Sequence, residues 1–261
     1  MDRPSLKSVR LLDRLRERLR YAHYSLRTEK TYVYWARFFV RFHRMRHPKD
    51  MGSAEVESFL SFLANERHVS PSTHRQALAA ILYLYKEVLG IELPWMTEIG
   101  RPKHRLRIPV VLSREEVSVL LAAMEPPEQL IAQLLYGCGL RILECLRLRI
   151  KDIDFARKVI VVREGKGAKD RVVMLPDAIA GTLHEQIAES RALWAADRAQ
   201  KLAGVWMPDA LGRKFPRGGE SWAWHWVFPA PHVSVDPRTH VQRRHHLYEQ
   251  RVGRAIARAL A

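Results

Sequence analysis

The stretch GCGLRILECLRLRIKDIDFARKVIVVREGKGAKDRVVMLP, residues 137–176, joins a helical signal to a hairpin signal. Glycines flanking Cys138 permit a sharp turn, so Arg141 is expected to emerge at the start of a helix running from Leu140 to about Leu148. Glu144, three residues on, shares its face and is placed to hold the guanidinium. KVIVV and RVVML then read as strands, with Gly165 and Gly167 marking the turn between them. Lys166, Lys169 and Arg171 crowd that turn. Each feature alone has an ordinary reading. An arginine and a glutamate three apart are commonly a surface pair, and a lysine at a hairpin tip is commonly just solvated. Their order along one chain is what points to chemistry.

Upstream, the first hundred residues read as about four helices. Leu11, Leu12, Leu15 and Leu19 form a stripe among arginines, and Tyr32, Trp35, Phe39 and Phe42 follow at helical spacing. Ser53 is read as an N-cap, and Gly90 closes the fourth helix. GRPKHRLRIP, residues 100–109, has a proline near each end and five basic residues, so it reads as a linker; Arg101, Lys103 and Arg105 are candidate phosphate contacts. Beyond it, Ser113 and Glu116 fit a capping box, a helix runs to Tyr136, and Pro176 and Asp177 open a long helix to about Leu202. Residues 204–244 look irregular, and HHLYEQRVGRAIARALA closes on a helical pattern. The fold class is mainly α with a small β-hairpin or sheet, an α+β chain. Its expected divisions are 1–99, 100–112 and 113–261.

The charge is uneven. Of a net +16, residues 1–50 carry 14 Lys and Arg against 5 Asp and Glu, and residues 213–261 carry 9 against 3. Basic ends around a nearly neutral middle suit a protein that grips a polyanion, and nucleic acid fits better than a membrane. No apolar run is long enough to span a bilayer, and the N-terminus lacks the apolar stretch of a secretion signal. Cys138 and Cys145 read as reduced thiols in a cytosolic core, with no further cysteine to build a zinc site. Neither a metal nor another cofactor is expected.

In this order the motifs resemble the tyrosine recombinase family, the phage-integrase-like enzymes that break and rejoin DNA. The family's G-L-R-x-x-E box is matched by Gly139, Leu140, Arg141 and Glu144. Its G-K-G-x-K-x-R hairpin is matched by Gly165 to Arg171. The resemblance implies that 1–99 is a helical core-binding, SAM-like domain, that 100–112 crosses DNA, and that 113–261 is a partial catalytic domain. It also implies that Arg141 clamps the non-bridging oxygens of a scissile phosphate while Lys166 protonates the leaving oxygen. Lys169 and Arg171 would steady the backbone nearby. Because a phosphotyrosine intermediate conserves the ester, no nucleotide is required.

The family further needs an H-x-x-R box and a nucleophilic tyrosine after the hairpin. HVQR at His240–Arg243 has the letters, but Tyr248 follows after only five residues, and no residue matches the nucleophile. The expectation is therefore a C-terminally truncated chain that binds DNA without cleaving it, and tetramers of the complete enzymes are doubtful here. Residues 204–246 resemble the insertion of integron integrases, which recombine gene-cassette sites folded from single-stranded DNA. Trp222 and Trp224 are then candidate stacking faces for extrahelical bases, or else, with Trp226, one buried strand face. Arg243, Arg244, His245 and His246 are candidate DNA contacts. The resemblance implies a cytoplasmic protein whose partner is DNA, folded single strands and duplex sites alike. A non-catalytic DNA-binding protein on the same scaffold is the competing reading, and an RNA-binding protein leaves Arg141 and Lys166 unexplained.

Overall fold

A computed structural model describes residues 6–93, 110–163, 169–237 and 239–261. The chain divides into two compact units, Met1–Pro109 and Val110–Ala261.

In the first unit, α1 (Leu11–Tyr21), α2 (Leu26–Phe42), α3 (Ser53–Asn65) and α4 (Pro71–Tyr83) pack together, and α4 continues through a π-helical turn, Leu84–Leu89, to Gly90. Leucines four apart on α1 put Leu15 and Leu19 against Val33, Ala36, Leu84 and Val88. The aromatic face of α2 supplies Trp35 and Phe39 to a second cluster with Phe59, Ile81 and Tyr85. Two chain entries are capped by serine: Ser25 Oγ accepts the Thr28 N–H and Ser70 Oγ that of Thr73. The third differs from expectation. Ser53 is the first helical residue of α3, and the Glu55 carboxylate caps the N–H of Gly52 at 2.8 Å.

The second unit begins with α5 (Arg114–Ala122), whose capping box forms: Glu116 N–H donates to Ser113 Oγ and Glu116 Oε2 accepts from Ser113 N–H. Then come α6 (Glu128–Cys138), a short α7 (Ile142–Leu146), and the antiparallel sheet β1 (Ile153–Asp154), β2 (Val159–Val162), β3 (Arg171–Met174). The expected hairpin is β2–β3, with Val162 opposite Arg171. Period-two alternation buries Ile160 and Val162, while Val172 and Met174 on edge strand β3 stay exposed. The long helix α8 (Asp177–Ala199) adds Ile179 and Leu183 to a core with Ile131, Leu134, Phe228 and Val252. Cys138 and Cys145 do not share one helix: the first ends α6, and the second is buried in α7.

Residues 204–246 are more ordered than their composition suggests. They contain α9 (Asp209–Lys214), 3-10 turns at Gly218–Glu220 and Trp222–Trp224, and a hairpin of β4 (Pro229–Val235) with β5 (Gln242–His246). At the neck of this insertion, Val205 N–H donates to the Gly219 carbonyl at 3.0 Å. A Cβ on Gly219 would collide with the Val205 carbonyl oxygen, so only glycine permits the closure. The insertion is seated on α8: Ser190 Oγ donates to the Trp226 carbonyl, Gln186 to that of Val227 and Trp194 to that of Glu220. The last helix, α10 (Glu249–Ala259), buries Val252 and Ala255. Among the described residues no helix is long and apolar enough to cross a membrane.

Candidate active site

Gly139 ends α6 in the left-handed region at φ 61°, and the chain re-enters a helix at Ile142 with Arg141 extended at the N-cap. Glu144, the third residue of α7, folds back on that end. Its Oε2 accepts the Arg141 N–H at 2.9 Å and its Oε1 accepts Arg141 Nη1 at 2.8 Å. The expected Arg141–Glu144 pair thus exists, as a helix cap carrying a guanidinium whose side chain remains 57% exposed. No atom crowds Gly139, so its requirement is purely conformational. Gly139→Ala is expected to cost about 1–2 kcal/mol, read as a lower urea midpoint; an unchanged midpoint would show that the turn relaxes freely.

The stem of the β2–β3 hairpin is tied to the same segment at both feet. On β3, Arg171 Nη1 and Nη2 donate to Glu144 Oε1 and Oε2 at 3.0 and 2.6 Å. At the end of β2, Arg163 Nε donates to Asp152 Oδ1 at 2.7 Å, and its Nη1 lies 3.6 Å from Asp170 across the stem. Asp152, just beyond α7, is 3% exposed and also accepts the Arg149 N–H. Hydrogen bonds from Arg171, joined by those from the Arg141 backbone and guanidinium, hold the Glu144 carboxyl down at about 2. Two N–H groups of the Arg171 fork are thus engaged by a buried carboxylate of its own chain. Lys169 is exposed at the foot of the turn. Lys166, Arg101, Lys103 and Arg105 lie outside the described residues.

The tryptophans of the insertion occupy neither a strand nor one buried face. Trp222 and Trp224 sit half-buried on a 3-10 turn, and Trp226 is buried beyond it. Against Trp226 and Trp224 lies Arg149, 6% exposed, its guanidinium 3.3 Å from the Trp226 ring centre and donating to the carbonyls of Trp224 and Trp206. Lys151 places its ammonium 3.0 Å from the Trp224 ring centre, and its pKa is lowered by the burial this entails. Neither Arg149 nor Lys151 was picked out in the sequence. The available signal is RLRIK, whose Arg147, Arg149 and Lys151 alternate immediately before the hairpin.

Hairpin β4–β5 buries two of the candidate DNA contacts. Arg244 is 8% exposed and bonded bidentately to Asp197 on α8, so it is a strut of the fold. His246 is 6% exposed, its Nδ1 donating to the Leu247 carbonyl. Arg243 keeps a 16% exposed side chain facing Asp236, and His245 is half-buried between Trp226 and Tyr248. Among the residues of this hairpin proposed as DNA contacts, Arg243 and His245 are the two whose side chains retain a solvent-facing part.

Models of two families match the chain. One, described as phage integrase, N-terminal SAM-like domain, covers residues 11–95. The other, the phage integrase family, covers residues 110–260. An integrase/recombinase of Escherichia coli is 57% identical over 257 residues, 98% of this chain and 76% of that protein. Tyrosine recombinase XerA of Thermococcus kodakarensis is 34% identical over 181 residues, 67% of this chain and 61% of that protein. A lambda integrase tetramer bound to a Holliday junction is similar in fold, with a TM-score of 0.54 at 15% identity over 95% of this chain and 64% of that one. With a family model spanning more than half its length and a relative this similar along nearly all of it, the chain belongs to the phage integrase family, the tyrosine recombinases, which break and rejoin DNA at specific sites.

Proposed function

We propose that this chain grips DNA as an integron-type integrase, acting on gene-cassette sites folded from single-stranded DNA. Arg141 engages the scissile phosphate and Lys166 serves as general acid towards the leaving oxygen. In the complete reaction a tyrosine hydroxyl attacks the phosphorus, charge grows on the non-bridging oxygens, and a fixed guanidinium opposes it without reorganising. Arg141 suits that part because the buried Glu144 carboxylate anchors one edge of its fork while the side chain stays more than half exposed.

The observation that carries the integron-type reading is the platform of Trp222 and Trp224. The Trp224 ring lies 3.0 Å from the Lys151 ammonium and 5.7 Å from the buried Arg149 guanidinium, and the Trp222 ring 5.7 Å from that of Arg191, in an insertion clamped to α8. Such a surface offers a π-face for a base and a cation for its phosphate. The test is fluorescence anisotropy at fixed salt, with a folded DNA hairpin bearing extrahelical bases compared against the fully paired duplex. The wild-type chain is expected to prefer the folded strand. Trp224→Ala is expected to remove about 1–3 kcal/mol of that preference while leaving duplex binding unchanged. Equal affinity for the two DNAs would end the folded-strand reading.

A further inference from the structure

A carboxylate offers about four lone-pair directions. Those of Glu144 are filled: Oε1 accepts Arg141 Nη1 and Arg171 Nη1, and Oε2 accepts the Arg141 N–H and Arg171 Nη2. The bidentate, fork-to-fork place belongs to Arg171, whose Nη2 also reaches the Gly139 carbonyl at 3.5 Å. Arg141 is left with a single side-chain bond. Among the described residues, Nη1 is the only atom of its guanidinium with a hydrogen-bond partner.

We propose that Arg171 is a positioning residue that keeps the fork of Arg141 open: by saturating Glu144, it denies Arg141 the bidentate pair that would turn its remaining N–H groups away from a phosphate. An arginine beside an unsaturated carboxylate closes on it with two parallel bonds, the strongest geometry open to the pair. Without Arg171, two acceptor directions on Glu144 fall vacant beside Arg141, and the guanidinium swings into them. Arg171 therefore acts on DNA only through Arg141. This inference rests on the reading that Arg141 meets a phosphate, and the experiment separates the two.

Binding of the chain to a folded DNA hairpin is measured by anisotropy over a salt series for wild type, R141M, R171M, R171K, R141M/R171M and E144Q/R171M. Thermal unfolding of each variant confirms that it is folded. R141M and R171M are each expected to weaken binding about tenfold and to lower the salt slope by about one phosphate. The double variant R141M/R171M is expected to match R141M alone, because the second loss acts through the first. E144Q/R171M is expected to regain part of the loss, since a neutral amide does not draw the Arg141 fork closed. R171K, whose single ammonium fills one oxygen at a time, falls between wild type and R171M and serves in its place if R171M does not fold. Additive losses in R141M/R171M, with a slope lower by two, would show that Arg171 touches DNA itself and overturn the inference. An R171M variant that binds like wild type while R141M does not would overturn it too, leaving the phosphate reading intact. An R141M variant that binds like wild type would remove that reading and the inference with it.

Discussion

Asp197→Ala is expected to destabilise the C-terminal unit by about 3–5 kcal/mol. Asp197 lies near the end of α8 and Arg244 on β5; their side chains are 7% and 9% exposed. Two parallel bonds of 2.7 and 2.6 Å join them, and Arg244 Nη1 donates further to the carbonyls of Ala230 and Pro231 at 2.7 and 2.8 Å. Deleting the carboxylate leaves a guanidinium that cannot lose its proton, buried and opposed by neutral carbonyls alone. Among the described residues, no other ion pair joins strand β5, which carries His245 and His246, to α8. Urea unfolding checks the figure, and in thermal unfolding a unit of this size falls by roughly 2–4 °C per kcal/mol. The exposed pair of Asp13 with Arg16 on α1 serves as a control, where the corresponding alanine is expected to cost under about 1 kcal/mol. Replacing Arg244 and Asp197 together by methionine and leucine is expected to recover most of the loss, because the penalty belongs to the orphaned charge. A loss below about 1 kcal/mol for Asp197→Ala would mean that water reaches Arg244, and the strut assignment would fall.

What could be read from the sequence follows from how far each signal reaches along the chain. Helices α1–α6, the β2–β3 hairpin and the capping box of α5 are written in local periodicity and capping, and those signals suffice. The Arg141–Glu144 pair was legible for the same reason, being three residues apart on one helix. The ion pair of Arg171 with Glu144 was not legible because its partner lies 27 residues away, and no local pattern distinguishes an arginine aimed at solvent from one aimed at a buried carboxylate. The same holds for Arg244 with Asp197, 47 residues apart, and for Arg149 beneath Trp224, 75 residues on. Residues 204–244 looked irregular because their order comes from seats on α8 and from the glycine closure at the neck, while strands β4 and β5 hold Pro229, Pro231 and two adjacent arginines in place of an alternating apolar run. Charges that form the fold and charges that face a ligand share one alphabet, so burial separates them and composition does not.

That burial also sets the response to acid. His225 and His246 are 2% and 6% exposed, and burial is the first cause that lowers each to about 4. His225 Nε2 has no hydrogen-bond partner among the described residues. Asp197 opposes the shift at His225, but Arg244, Arg149 and Arg198 reinforce it; at His246, His245, Arg147 and Arg149 do the same against the Leu247 carbonyl. Both rings are therefore neutral in the folded chain at pH values where the unfolded chain, titrating near 6.5, already binds protons. The sign follows: stability is full above about pH 6.5, falls as pH drops towards 4, and the histidines contribute no further loss below that. A shift of this size corresponds to about 3 kcal/mol per histidine, an upper figure where neighbouring rings share the cost. Glu144 acts in a lower window, between its unfolded value near 4.5 and about 2, where loss of its charge releases Arg171 and Arg141. Urea midpoints at pH 7.5, 5.5 and 4.5, followed by tryptophan fluorescence since Trp222 and Trp226 contact these rings, are expected to fall steeply across the upper window. His246→Gln is expected to reduce that slope by up to about 1.4 kcal/mol per pH unit, the value of one proton. Midpoints that stay level from pH 7.5 to 4.5 would mean the rings are protonated or solvated in the folded insertion, and the dry seat assigned to β5 would have to be abandoned.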